Sequence, residues 1–389
     1  MDMKDHFKRL LRAMVVFAII LAGFGIWKRE EIQRLWAVNS LFTADKIVSN
    51  FSNMDAAFLT TPVARGSGPV SALPTGSKMT LPLETEAWIK DRAVTSLLVM
   101  KNGEIRHESY HLGTSAEDRR ISWSVAKSYL SALFGVLLEE GAIASIEDPV
   151  TKYAPELKGS AYDGASIRNV LNMASGVTFD EDYLDYDSDI NRMGREIALG
   201  GTLDQFTTDL SETFASPGAR WQYVSIDTHV IGMVIRGATG QSIARLLQDR
   251  IIAPLGLEQD LYYVTDGEGV AFVLGGLNIT TRDYARFGLM IEQDGLYNSQ
   301  QVVPADWIAA STTPSAPTKP GKIGYGYQWW IPVGAETGEF MARGVYGQYI
   351  YIDQARDVVI VSTAADRRFR EKGVNEINIE MFRKLAQML

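Results

Sequence analysis

The sequence predicts an α+β fold: an antiparallel sheet completed by both ends of one domain, a helical lobe inserted between them, and an apolar helix at the amino terminus. Three observations carry this. A strong hairpin signal comes early, around residues 96–105, and two strand-like runs come late, at 346–352 and 358–363. Between them, from about residue 145 to 274, helical and loop patterns dominate. Sheet character at the two ends of a domain with a helical middle is the pattern of an inserted lobe.

The elements follow in chain order. Residues 13–27 (AMVVFAIILAGFGIW) carry no charge, and Leu10 and Leu11 extend the run past Arg12. A span over 10–27 covers roughly 27 Å at 1.5 Å per residue, enough for the hydrocarbon layer of a bilayer. Lys4, Lys8, Arg9 and Arg12 precede it, whereas Lys28 and Arg29 are followed at once by Glu30 and Glu31. The positive-inside bias then keeps residues 1–9 in the cytoplasm and exports the remainder. The expectation is an inner-membrane anchor with the domain in the periplasm or outside the cell. A cleaved signal peptide with a secreted domain is the alternative. Residues 28–82 read as a linker or wrapping segment: 30–58 suits one or two helices, and 60–82 holds four prolines and three glycines. The compact domain is expected over 83–389. Within it, Asn102-Gly103 joins two apolar runs, and both turn positions favour positive φ. Residues 124–140 (SVAKSYLSALFGVLLEE) are apolar around nearly the whole helical circumference and end at Gly141, which predicts a buried helix with a glycine cap. Residues 167–173 and 227–236 are helical patches, and 373–389 a closing helix.

Composition removes several functions. Net charge is −9, from 38 Lys and Arg against 47 Asp and Glu, which argues against a broad basic footprint for nucleic acid. Cysteine is absent, so disulfides, thiolate metal sites and cysteine nucleophiles are out. The four histidines, His6, His107, His111 and His229, form no HExxH or His-x-His run, so a histidine-built metal site is not expected. Oligomeric state leaves no mark on the sequence.

For nucleophilic chemistry there is no G-x-S-x-G elbow, and no histidine is attached to a serine motif. Ser124-Val125-Ala126-Lys127 is the only Ser-x-x-Lys in the chain. The three-residue spacing puts both side chains on one helical face, and the helix start offers free N–H groups to a developing oxyanion. A lysine desolvated there becomes a neutral base. An ordinary helix start with a solvated lysine is the other reading of the tetrapeptide alone.

The surroundings are more specific. Residues 121–159, 166–176 (SIRNVLNMASG), 275–288 (GGLNITTRDYARFG) and 324–330 (GYGYQWW) resemble serine β-lactamase-like hydrolases: class C β-lactamases, penicillin-binding-protein-like esterases and 6-aminohexanoate-dimer hydrolases. The resemblance covers roughly residues 83–389. It implies a β-lactamase/transpeptidase-like fold and a serine hydrolase acting on an ester or linear amide, without metal or organic cofactor. It implies Ser124 as nucleophile, with Lys127 and Tyr223 as proton relay. Tyr223 opens Tyr223-Val224-Ser225, the match to the family's Tyr-x-Asn or Tyr-x-Ser motif. Its phenol either ionises below its free value or relays a proton as neutral O–H. Ser188-Asp189-Ile190 departs from Ser-Asp-Asn by its isoleucine and is not the relay. The third family motif, Lys-Thr-Gly or His-x-Gly, matches Ala342-Arg343-Gly344. Alanine at its first position removes the usual carboxylate-binding cation and leaves Arg343 to supply charge. A β-lactamase, a D-alanyl-D-alanine peptidase and a non-catalytic ligand-binding relative are the alternative functions. Backbone N–H groups of Ser124 and Val345 would form the oxyanion hole. Tyr183, Asp187, Ser225, Trp330, Arg343 and Gly344 are the candidate substrate-binding residues.

Overall fold

The protein is described here by a computed structural model covering residues 3–389. Helix α1 (Met3–Trp27) is longer than the expected span, because the charged lead-in continues the same helix. Within His6–Trp27 an 18-residue window has a mean hydropathy of 2.2, and none of that window is buried. That stretch is long and apolar enough to cross a bilayer. Helix α2 (Arg29–Ser40) follows, and Arg34 Nε donates to the carbonyl of Ala198 at 3.0 Å, tying it to the helical lobe.

Core packing starts well ahead of residue 83. Leu41, Ile47, Phe51, Met54 and Val63 are all buried in the main hydrophobic core. Strand Thr60–Val63 pairs antiparallel with Leu261–Val264, which in turn pairs with Leu277–Ile279. Pro62 is tolerated because this strand lies at the sheet edge, where a missing N–H costs no ladder bond. Proline content therefore understated how tightly the wrapping segment is built in, and the lobe's expected end at 274 overran the strand Leu261–Val264.

Helix α3 (Ala126–Glu139) is the predicted buried helix, and every residue from Ala126 to Leu137 is buried. Its serines bond to the loop ahead of the late strands: Ser128 Oγ donates to the carbonyl of Gln328 at 2.8 Å and Ser131 Oγ to that of Tyr327 at 2.7 Å. Gly141 follows with φ +76°, as a cap requires. The lobe contributes α4 (Asp189–Leu199) and α5 (Ser225–Thr239), both ending on left-handed glycines, Gly200 and Gly240.

The main sheet has seven antiparallel strands: β1 (Val94–Lys101), β2 (Glu104–Tyr110), β3 (Gly324–Tyr325), β4 (Trp330–Ile331), β5 (Glu339–Gly344), β6 (Gln348–Asp353) and β7 (Val358–Ala364). Their order is β2-β1-β7-β6-β5-β4-β3, so the last long strand pairs with the first and both chain ends complete one sheet. The β1–β2 turn has Asn102 at φ +52° and Gly103 at φ +75°, the geometry that Asn-Gly predicted. Side chains alternate between two layers. Leu98, Met100, Ile350, Ile352 and Val361 face the core shared with α3 and with α6 (Thr281–Glu292). Leu97, Val99, Tyr349, Tyr351 and Ile360 face Phe382 and Leu385 of α7 (Val374–Gln387). Helices thus cover both sheet faces, which is why β1 and β7 are almost uninterruptedly apolar rather than alternating.

Candidate active site

Ser124 occupies the single 3₁₀ turn Trp123–Val125 that leads into α3. The residue before it, Trp123, has φ +43°, a left-handed conformation costing a bulky side chain about 1–3 kcal/mol. Packing holds it there. The rings of Phe42, Phe51 and Tyr346 lie 5.8, 5.4 and 6.1 Å from the Trp123 ring, and Phe42 stacks on Tyr346 at 4.9 Å. Two of these braces, Phe42 and Phe51, belong to the wrapping segment.

Lys127 is buried one turn into α3, and its Nζ donates to the carbonyl of Leu274 at 2.9 Å. Burial pulls its pKa down to about 7, although the carboxylates of Glu181 and Asp227 oppose the shift. Asp227 is itself buried and pushed up to about 7 by desolvation. One of its oxygens accepts from Tyr162 Oη at 2.7 Å and from Ser175 Oγ at 2.8 Å. The Lys127 amine lies 5.6 Å from the Tyr223 ring centroid. That ring stacks on Trp330 at 5.1 Å.

Burial, followed by the Glu181 charge, pushes the Tyr223 phenol up, and the hydroxyls of Ser124 and Ser225 and the Arg343 charge only partly offset this. Of the two protonation states that the sequence left open, the neutral O–H is favoured for Tyr223.

Gly344 ends β5 against the nucleophile turn. A Cβ there would stand 2.7 Å from the Ser122 carbonyl oxygen and 3.1 Å from the Ser124 nitrogen, so only glycine permits this approach. Ser124, Val345, Tyr223, Trp330 and Arg343 line a cleft of about 320 Å³. The Arg343 guanidinium lies 4.8 Å over the Trp330 ring, so the strand does bring a cation to the cleft. Ala342, the first position of the third motif, is buried and faces the core.

Tyr183 also lines the cleft and donates through Oη to Glu181 Oε2 at 2.9 Å. Ser225 is buried beside the same carboxylate, its N–H donating to Glu181 Oε1. Asp187 is the exception among the expected residues. It is exposed, its backbone N–H bonds to Asp185 Oδ1 at 3.0 Å, and it lines no hollow next to Ser124. The turn at 185–187 carries it away from the site.

Two carboxylates went unread in the sequence. Glu181 lines the cleft and is pushed up by burial, with the Lys127 charge opposing. Asp227 is buried, and its charge acts on Lys127. Spacing was the available signal, since Glu181 stands two residues before Tyr183 and Asp227 two after Ser225.

The family model named Beta-lactamase matches residues 83–373. The chain belongs to the beta-lactamase family. Among curated relatives of this family member, the 6-aminohexanoate-dimer hydrolase of Paenarthrobacter ureafaciens is 30% identical over 328 residues, covering 81% of each chain. Penicillin-binding protein 4* of Bacillus subtilis (strain 168) is 24% identical, covering 72% of this chain and 70% of its own. A solved Bacillus anthracis structure named for 6-aminohexanoate-dimer hydrolase superposes with a TM-score of 0.79 at 23% identity, over 89% of this chain and 95% of the other. A D-stereospecific amidohydrolase from Streptomyces superposes at 0.59 with 20% identity, over 75% and 96%. The β-lactamase/transpeptidase-like fold is thereby established, and the protein is a beta-lactamase-family serine hydrolase of the amidase or esterase type.

Proposed function

We propose that the protein hydrolyses a linear amide or an ester through an acyl-enzyme on Ser124. Neutral Lys127 withdraws the Ser124 proton, with the Tyr223 O–H between hydroxyl and leaving group. As Ser124 Oγ bonds to the carbonyl carbon, the carbonyl oxygen becomes an oxyanion held by the N–H groups of Ser124 and Val345. The tetrahedral centre collapses, the C–N or C–O bond breaks, and Tyr223 protonates the departing amine or alcohol. Water then attacks the acyl-enzyme, gives its proton back through the same relay, and releases the acid.

The observation that carries this reading is the buried amine of Lys127, one helical turn from Ser124 and 5.6 Å from the ring of Tyr223, with the serine and the phenol lining one cleft. A linear substrate is preferred over a β-lactam because the motif position that usually holds the carboxylate-binding cation is the buried Ala342. The relative at 30% identity also carries the name of a linear-amide hydrolase. Helix α1 is proposed to anchor the chain in the inner membrane with the catalytic unit on the outer side.

The test is turnover of p-nitrophenyl esters and linear amides by the full chain in detergent, alongside Ser124→Ala. The variant is expected to lose turnover by at least about a thousandfold and to escape labelling by a fluorophosphonate. Undiminished labelling of Ser124→Ala would remove Ser124 from the role.

A further inference from the structure

A second hollow, separate from the polar cleft, also reaches Ser124. The two meet at Ser124, Tyr183 and Val345, the nucleophile and its surroundings. The second hollow has a volume of about 110 Å³ and is lined almost wholly by apolar side chains. One wall is Val38, Leu41 and Phe42, from the end of α2 and the turn after it; another is Met193, Gly194 and Ile197 of α4. The polar cleft holds Glu181, Arg343 and Arg370 instead.

We propose that this apolar hollow receives the acyl portion of the substrate, a hydrocarbon chain, while the polar leaving group occupies the cleft with Arg343. The proposal rests on Ser124 being the nucleophile, since it places the chain by reference to that atom. The chemistry follows from the walls. A hollow almost without hydrogen-bonding groups cannot replace the water lost by a charged or hydroxylated substituent, but gains from each methylene it covers. Its size sets a limit. Apolar cavities of about 150 Å³ accept a benzene-sized guest, so a hollow somewhat smaller suits an unbranched chain on the order of four to six carbons.

The α2 wall lies outside residues 83–373, the span matched by the family model, so this pocket is completed by the segment before it. That segment runs directly on from the apolar helix α1. The same turn supplies Phe42, which braces Trp123 beside the nucleophile. Pocket wall and nucleophile support are thus one structure.

Gly194 makes the proposal testable. It lies within α4 and lines the hollow, and a Cβ built on it meets nothing within 4 Å. Leucine or alanine there also raises helix propensity over glycine, so both variants are expected to fold. The experiment is kcat/KM of the full chain on p-nitrophenyl acetate, butanoate, hexanoate and dodecanoate, for the parent, Gly194→Ala and Gly194→Leu. The parent is expected to gain roughly threefold to fourfold per methylene up to about hexanoate, then level or fall. Gly194→Leu should lose at least tenfold more on hexanoate than on acetate, with Gly194→Ala shifted the same way by less. A flat chain-length profile in the parent, or equal losses on both esters in Gly194→Leu, would overturn the pocket and leave the nucleophile standing. No turnover of any ester with Ser124 unlabelled by a fluorophosphonate would overturn both.

Discussion

The two hollows that meet at Ser124 are built on different principles. The cleft is a place of titratable groups whose environments shift them: Lys127 drawn down to about 7 by burial, Tyr223 and Glu181 pushed up. Ser124 and Lys127, Tyr223, and Arg343 and Gly344 come from short motifs at the start of α3, on the turn before α5 and on β5, and Glu181 from the loop before α4. The apolar hollow shares Ser124, Tyr183 and Val345 with the cleft and is otherwise lined almost wholly by apolar side chains. Its walls come from α2, the wrapping segment and α4, brought together only by packing. Chemistry here is a local property of a few neighbouring residues, whereas selectivity is a property of how distant segments close.

If that division is right, substitutions in the cleft should change rate on every substrate, and the largest loss should follow removal of the base. Lys127→Met keeps the length of the side chain and discards the amine. It is expected to lower kcat by about 10²–10⁴ on all esters alike, with Tm kept or raised because no amine has to be desolvated. Steady-state kinetics and a melting curve check both. A loss confined to long-chain esters would put Lys127 in the wrong hollow.

Next in size is the backbone contact at β5. Gly344→Ala puts a methyl 2.7 Å from the Ser122 oxygen and forces the strand off the nucleophile turn. A drop in kcat of about 10²–10³ with little change in KM is expected, as for loss of one oxyanion donor. Near-normal kcat would show that the Val345 N–H plays no part.

Glu181→Gln should give the smallest change in rate and the most informative pH profile. The Glu181 charge raises the Lys127 pKa against the effect of burial. Without it, the ammonium loses its proton at lower pH, so the acidic limb of kcat/KM should move down the pH scale. A limb that stays in place or moves up would mean that Glu181 acts only through its hydrogen bonds to Ser225 and Tyr183.

The same contrast separates what could be read in the sequence from what could not. The Asn102-Gly103 hairpin, the buried helix of 124–140 and the closing strands are consequences of local periodicity and turn chemistry, and all appear where expected. So does the grouping of Ser124, Tyr223, Trp330, Arg343 and Gly344, which motifs on separate elements pointed to. The wrapping segment was a different matter. Prolines and glycines between residues 60 and 82 suggested a linker or wrap, and within it Val63 and Met79 are core residues, as are Phe51 and Met54 before it. Asp187 failed for the related reason that a loop's direction depends on tertiary contacts, and Glu181, two residues from a named tyrosine, had no periodic pattern to expose it.

The proposed chemistry depends on a lysine made neutral by burial next to a serine. The rate at which a fluorophosphonate phosphonylates the full-length protein between pH 5 and 9, with the adduct located by mass spectrometry, tests this most directly. The account predicts an adduct on Ser124 that forms about tenfold faster per pH unit below pH 7 and levels off above it. A pH-independent rate, or an adduct on any other residue, would contradict it.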